Sequence, residues 1–142
     1  MGHDLRGDDA AGLHAARALR ALLLPFENWL VLEGGPAPEN ITGALRRFRP
    51  QLVLMIDAAQ FGASPGTVRW LDWRAAAKSA TSTHTGSLNL VARYVSAELS
   101  CDVMLLGIQI GDNTLGAPLT LEVAGAVDRV ARDIFLLASS QL

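Results

Sequence analysis

The chain has 142 residues, of which half are hydrophobic and 18% are charged. A chain of this length and composition can bury the core of one domain without disulfides or metals, and it is too apolar to be disordered. The 12 basic and 14 acidic side chains give a net charge of −2, which excludes a general attraction to nucleic acid or to an anionic membrane. We therefore expect a single domain over residues 1–142.

The sequence carries no sign of an export or membrane segment. Cys101 is the only cysteine, so no disulfide can form within the chain. No apolar stretch reaches membrane-spanning length, and Asp4, Asp8 and Asp9 stand where a signal peptide would be basic and then apolar. We expect a soluble cytoplasmic protein in which Cys101 is a small buried hydrophobe rather than a reactive thiol.

The first predicted element is an amphipathic helix from Asp9 to Leu24, and Pro25 ends it. Its apolar face has the helical spacing Leu13, Ala16, Leu19 and Leu23. Asp8 and Asp9 lie at the positive end of this helix, where an acidic side chain can cap free backbone N–H groups. Capping accounts for one of the two acidic residues, and the role of the other is left open.

A strand–helix–strand unit is predicted next. Asn28–Leu32 is a short apolar strand that leads into the turn Glu33–Pro36, and a helix then runs from Glu39 to the residues before Pro50. The second strand, Leu52–Ala58, has the sequence LVLMIDA, and its unbroken apolar run is typical of a central strand buried on both faces of a parallel sheet. Such units form right-handed crossovers between parallel neighbours.

Asp57 lies where this strand reaches the carboxyl edge of the predicted sheet. Ligands collect at this edge in open α/β sheets, so a carboxylate there is well placed for chemistry. It could equally accept backbone N–H bonds from the loop that follows. The strand pattern alone leaves both interpretations open.

The second half of the chain predicts further strands and helices around a polar loop, SATSTHTGS, that contains His84. The predicted elements are an antiparallel edge strand at 67–73, one or two helical turns at 74–80, a helix at 88–99, a buried strand at Val103–Ile108, a Gly-rich loop at 111–118 and a final helix at Leu119–Leu137.

Strands that alternate with helices predict an α/β fold, a three-layer α/β/α sandwich around a mostly parallel twisted sheet with one antiparallel edge strand. Such a fold can bring Asp9, Asp57 and His84 to one edge of the sheet. Two carboxylates and an imidazole suit a borderline divalent ion such as Zn²⁺ or Ni²⁺. The three residues form no compact metal motif, so their spacing alone favours structural roles.

Four segments of the chain are informative when read together: GHDLRGDDAAG, EGG, LVLMIDA and THTGSLNL. They resemble the hydrogenase maturation proteases, being similar in turn to that family's G-N-x-x-x-x-D-[DE]-x-x-G opening, its [DE]-G-G turn, its strand ending in Asp-Ala, and its histidine loop with the following helix. GGPAPEN and LGIQ are similar to the branch that processes the large subunit of formate-hydrogenlyase-type hydrogenase. The resemblance runs from Gly2 nearly to the end of the chain, in matching order and spacing.

The resemblance implies an endopeptidase that removes the C-terminal extension from the precursor of a nickel-iron hydrogenase large subunit after nickel has been inserted. It carries the family's metal-binding and catalytic roles onto Asp9, Asp57 and His84. The nickel would be carried by the precursor, which is the implied partner, and other divalent ions such as Zn²⁺ or Cd²⁺ could occupy the same site. Either the ion or a carboxylate would activate water, as in an aspartic-type cleavage, and we expect the chain to be a monomer.

Two departures from the family pattern shape these expectations. The family opens with a buried strand of the V-L-G-V-G type, and Met1 stands where that strand would finish, so we expect the first strand to be truncated and the chain to be poorly stable. A start codon assigned too late or a truncated chain would explain this. His3 replaces the family's asparagine, and we interpret it as an exposed terminal residue rather than a ligand.

Two other functions compete with the protease. One is a catalytically impaired, truncated module that binds nickel or the precursor without cutting it. The other is a generic small-ligand domain with a phosphate site at Glu33–Pro36, which ranks last because that segment lacks the spaced glycines and the basic residue of a phosphate loop.

Overall fold

The computed structural model describes residues 2–23, 26–35, 37–75 and 83–140. Four helices, α1 to α4, and three strands, β1 to β3, form its regular structure over these ranges, with short 3₁₀ turns at Gly7–Ala10 and Pro38–Ile41. The helices and strands are α1 Ala11–Leu23, α2 Thr42–Phe48, β1 Leu52–Ala59, β2 Val68–Leu71, α3 Thr83–Glu98, β3 Asp102–Gln109 and α4 Leu121–Ser139.

The strands of the described sheet lie in the order β1-β3-β2. β1 and β3 are parallel, with Asp57 opposite Gly107, and β2 is antiparallel to β3. The predicted mixed sheet with an antiparallel edge strand is confirmed. The prediction that Leu52–Ala58 is central is wrong, because β3 holds the central place in this sheet and β1 lies beside it with Leu52 half exposed. An apolar run predicts that a strand is buried, but it does not predict how many neighbouring strands pair with it.

The prediction of a strand at Asn28–Leu32 is also wrong, since these described residues adopt no strand structure. Their apolar side chains are instead used in packing, with Val31 against the α1/α4 core and Leu32 against the core on the opposite face. The backbone carbonyl of Val31 accepts a bond from Arg20 at 3.4 Å rather than a ladder bond. The predicted strand–helix–strand crossover therefore lacks its first strand within the described chain.

Alternating side chains of β1 and β3 give the sheet two covered faces. Ile56, Leu106 and Ile108 pack against α1 and α4 in one core. Met55 and Leu105 point the other way and pack against α2, α3 and Trp73 in a second core. This arrangement confirms the predicted three-layer α/β/α sandwich.

The helices form close to their predicted positions, with one correction that concerns the site. His84 was expected in a polar loop, and its backbone instead lies in the first turn of α3, which begins at Thr83. No proline interrupts the sequence between Thr83 and Leu88, and hydroxyl residues are well tolerated at a helix N-terminus, so the helix can extend over the polar segment. The predicted turns at 74–80 fall largely on residues 76–80, outside the described residues.

Among the helices that the structure describes, none combines the length and the apolarity that crossing a lipid bilayer requires.

Candidate active site

The two predicted acidic site residues lie on elements that meet near the carboxyl edge of the sheet. Asp9 belongs to the 3₁₀ turn Gly7–Ala10, which contacts β1. Asp57 is two residues from the end of β1, and only 9% of its surface is exposed. The structure therefore gathers the segments that carry Asp9 and Asp57, as the sequence predicted.

The side of the sheet on which Asp57 lies follows from strand alternation. Met55 is buried in the core beneath α2 and α3, and Asp57 is two residues further along the same strand, so it faces the same layer. A surface cavity of about 460 Å³ lies elsewhere, where Val68 at the start of β2 meets Arg129 and Asp133 of α4. That cavity belongs to the opposite layer and is separate from the acidic pair.

The backbone of His84 reaches the same edge from the α3 layer. Only Leu99–Cys101 separate the end of α3 from the start of β3, so the helix runs back along the strand. A 16-residue helix is about 24 Å long and an eight-residue strand about 26 Å, so the first turn of α3 lies level with the carboxyl end of β3. The side chain of His84 lies outside the described part of the structure, so its role as a ligand stays a prediction.

The donor chemistry of the predicted set fits a divalent ion, because carboxylates and an imidazole are ligands for Zn²⁺ and Ni²⁺. Among the side chains that the structure describes, no group of three or more His, Cys, Asp and Glu residues is arranged to hold a metal. Metal binding by Asp9, Asp57 and His84 therefore stays a prediction as well.

Asp8 has a structural role that the expected capping of the first helix by one of the two acids does not describe. Its side chain makes no capping bond to the 3₁₀ turn or α1, and it is fully buried. The carboxylate instead accepts N–H bonds from Gly111, at 2.8 Å, and from Thr120, the N-cap of α4, at 2.7 Å. Asp8 thus fixes the turn that carries Asp9 to the loop after β3 and to the start of α4.

Gln109, the last residue of β3 and of the LGIQ motif, is a second buried polar residue at this edge. Its Oε1 accepts the backbone N–H groups of Phe61 at 2.9 Å and Ala63 at 3.3 Å, and its Nε2 donates to Gln60 Oε1 at 3.1 Å. The loop that follows Asp57 is therefore held by an amide from the neighbouring strand. The sequence feature that could have indicated this role is a glutamine at the end of an apolar strand run.

The EGG turn is attached to α1 through charged side chains. Glu33 accepts bonds from Arg17 at 3.0 Å and Arg20 at 2.9 Å, and Arg17 also donates to both carboxylate oxygens of Asp4. The hydrogen bond from Arg17 lowers the pKa of Asp4, and the bonds to Asp4 and Glu33 raise the pKa of Arg17. These contacts hold the segments on either side of α1 against that helix.

Cys101 is buried, as expected, at the end of the second core. Burial raises the pKa of its thiol, and the neighbouring Asp102 raises that pKa further. A protonated, buried thiol is a poor nucleophile, so Cys101 has no part in the candidate site.

Comparison with known proteins decides the family. Residues 13–136 match the HycI family model, described as hydrogenase maturation protease. This chain belongs to the hydrogenase maturation protease family. Hydrogenase 3 maturation protease of Escherichia coli K12 is 34% identical over 131 residues, which cover 92% of this chain and 82% of that protein. As a member of this family, the chain is a peptidase and hence a hydrolase.

Solved structures of family members have the same fold. The crystal structure of the [NiFe] hydrogenase maturation protease HycI from Thermococcus kodakarensis KOD1 superposes with a TM-score of 0.89 at 32% identity, covering 97% of this chain and 88% of that one. The solution structure of an endopeptidase HycI from Escherichia coli gives a TM-score of 0.77 at 31% identity, covering 92% and 83%. The sequence-based family assignment and the α/β/α fold are both confirmed by these matches.

Proposed function

We propose that this peptidase removes the C-terminal extension from the precursor of a nickel-iron hydrogenase large subunit, and that it recognises nickel already bound in that precursor. One observation carries the proposal: in a member of the hydrogenase maturation protease family, the turn holding Asp9 contacts the strand holding Asp57 at the carboxyl edge of the sheet. The precursor, not this chain, would supply the nickel.

The proposed roles follow from the chemistry of the side chains. Asp9, Asp57 and His84 would contact the nickel-bearing region of the precursor and so place the scissile peptide beside them. A carboxylate would accept a proton from water as the water oxygen attacks the scissile carbonyl carbon, and the C–N bond would break with proton return to the leaving amine. Because the Cys101 thiol is buried, an acyl-enzyme on cysteine is not part of the proposal, and water is the proposed nucleophile.

Water activation by Asp57 is supported by its surroundings. Asp57 lies within β1, and the small exposed fraction of the residue limits the number of waters that can reach it. A partly desolvated carboxylate interacts more strongly with a metal ion or a developing charge than an exposed one does. The precursor, once seated over this edge, would exclude further water.

The test is the mass of a nickel-loaded large-subunit precursor before and after incubation with the purified chain. We expect loss of the C-terminal extension, and we expect Asp9→Asn, Asp57→Asn and His84→Ala each to reduce the rate at least about 100-fold. Asp128→Asn, an exposed change on α4, is the matched control and should leave the rate unchanged.

The alternative function is distinguished in the same experiment. Co-purification of the precursor with no change in its mass would favour a module that binds without cutting. Normal cleavage by all three site variants would overturn the site assignment while leaving the peptidase activity in place. Cytoplasmic location and the monomeric state stay predictions, to be checked by fractionation and by light scattering.

A further inference from the structure

We propose that Asp8 is the positioning residue of the site: its buried carboxylate sets the place of the neighbouring Asp9 carboxylate by bonding the turn at Gly7–Ala10 to the loop after β3 and to the N-terminus of α4. This inference rests on the proposed function and deepens it, since it assigns different roles to the two acids of the Asp-Asp pair.

The contacts of Asp8 involve both carboxylate oxygens. Oδ2 accepts the backbone N–H groups of Gly111 at 2.8 Å and Asp112 at 2.9 Å. Oδ1 accepts the backbone N–H of Thr120 at 2.7 Å, and the Thr120 hydroxyl lies 3.1 Å from Oδ1 and 3.0 Å from Oδ2. The three backbone N–H distances are those of charge-assisted bonds, and together with the longer hydroxyl contacts they fix the carboxylate from several directions.

The backbone beside Asp8 adds to this attachment. The N–H of Asp8 donates to the carbonyl of Asp112 at 2.8 Å, and the N–H of Asp9 donates to the carbonyl of Arg6 at 2.9 Å. Gly7 has a φ of +47°, and a Cβ on it would lie 2.5 Å from the Asp112 oxygen, so this close approach requires glycine. The turn therefore lies directly on the 111–112 backbone.

Position 8 requires an aspartate rather than an amide. Besides the Thr120 hydroxyl, backbone N–H donors from Gly111, Asp112 and Thr120 point at its two oxygens, so that each oxygen faces at least one N–H. An asparagine would place an NH₂ group against at least one of these donors, where two hydrogens would face each other. A negative charge at the first turn of α4 is also favoured by the helix dipole.

The consequence for Asp9 follows from chain geometry. Consecutive Cα atoms are about 3.8 Å apart, so a backbone held at residue 8 leaves residue 9 little freedom to move. A misplacement of about 1 Å can reduce an enzyme rate about 100-fold, and loss of a residue that orients a metal ligand typically costs 10–100-fold in affinity or activity. Asp8 would therefore act on catalysis through Asp9 without touching the substrate.

The experiment compares Asp8→Asn with wild type and with Asp128→Asn, the same chemical change at an exposed position of α4. Each protein is assayed for kcat/KM on the nickel-loaded precursor at a temperature where circular dichroism shows it fully folded. Each is also titrated with Zn²⁺ alone by calorimetry, because this readout does not need peptidase activity. We expect Asp8→Asn to reduce both kcat/KM and the Zn²⁺ affinity about 10–100-fold, and Asp128→Asn to leave both at the wild-type level.

Thr120 provides a second pair of variants in case Asp8→Asn fails to fold. Thr120→Val removes the hydroxyl that bonds to Asp8, whereas Thr120→Ser keeps it. We expect Thr120→Val to reduce kcat/KM and Zn²⁺ affinity in the folded protein, and Thr120→Ser to restore both to the wild-type level. If the Thr120 hydroxyl only stabilised the fold, Thr120→Val would unfold at a lower temperature but would keep the wild-type kcat/KM and Zn²⁺ affinity.

Failure of the inference can be told apart from failure of the proposed function. If wild type cleaves and folded Asp8→Asn or Thr120→Val cleaves equally well, the inference is overturned and the proposed function stands. If wild type does not cleave, the proposed function fails, and the Zn²⁺ titration decides the inference. Equal Zn²⁺ affinity in wild type and the variants, or no binding in any of them, overturns the inference.

Discussion

Arg17 of α1 bonds to both carboxylate oxygens of Asp4, at 2.9 and 3.1 Å. The same guanidinium bonds to Glu33, so one side chain joins the N-terminal segment, the first helix and the EGG turn. All of these groups are at least partly exposed to solvent, and exposed ion pairs contribute little and weaken in salt.

The Asp4–Arg17 pair predicts a pH-dependent effect of removing Asp4. The hydrogen bond from Arg17 lowers the pKa of Asp4 in the folded chain, so the stabilisation is fully present above the ordinary aspartate pKa of about 4 and is lost as pH falls through the lower native pKa. Asp4→Asn should therefore unfold at a lower urea concentration than wild type at pH 7, with a small difference that disappears at strongly acidic pH. An equal difference at both pH values would contradict this assignment.

Gly7→Ala is expected to destabilise the fold more than Gly62→Ala does. Both glycines have positive φ, +47° and +75°, but a Cβ at Gly7 would lie 2.5 Å from the Asp112 carbonyl oxygen, whereas none of the described atoms lies within 4 Å of one at Gly62. An alanine at positive φ lowers the free energy of unfolding by about 1–2 kcal/mol at either position. At Gly7 the collision of the Cβ adds about 1–3 kcal/mol to this loss. Thermal unfolding of the two variants measures the difference, and equal losses would mean that the turn can move away from residues 111–112.

Gln109→Leu should lower the free energy of unfolding by about 1–3 kcal/mol, because the N–H groups of Phe61 and Ala63 lose a buried acceptor. Gln51→Leu, at an exposed position before β1, is the matched control and should change the unfolding free energy by less than about 0.5 kcal/mol. Urea titration of both variants tests this. If Gln109→Leu is as stable as the control, the loop at 60–63 does not depend on that amide.

Cys101 should resist alkylation in the folded protein. Its surface is 6% exposed and burial raises its pKa, so both access and the thiolate fraction are low. At pH 8 we expect iodoacetamide to label wild type slowly without denaturant and rapidly in urea above the unfolding midpoint. Rapid labelling under native conditions, followed by mass spectrometry, would show that the end of α3 opens on its own.

The sequence predicted the elements whose patterns are local. β1, β3 and α4 have long apolar runs or helical spacing, and all three form close to their expected positions. Asn28–Leu32 misled the prediction because its apolar residues are buried without strand pairing, and a pattern of burial does not specify hydrogen-bond partners. The start of α3 was missed because the polar residues around His84 suit a helix N-terminus as well as a loop.

The candidate site was predictable only in part. Asp9 and Asp57 were found from a family pattern and from a strand end, and the segments that carry them do meet. The roles of Asp8 and Gln109 depend on partners that are remote in sequence, such as Thr120, which lies 112 positions after Asp8. No local periodicity encodes a contact over that separation.

The bonds from Asp8 to Gly111 and Thr120 also set an order of events during synthesis. Their partners lie 103 and 112 positions further along the chain, so the turn that carries Asp9 cannot be fixed until β3 and the start of α4 have left the ribosome. Contacts of such high sequence separation form late, because a long loop must close first. A nascent chain would therefore carry Asp9 and Asp57 long before it could cut anything, and the peptidase would become competent only after the start of α4 has been synthesised.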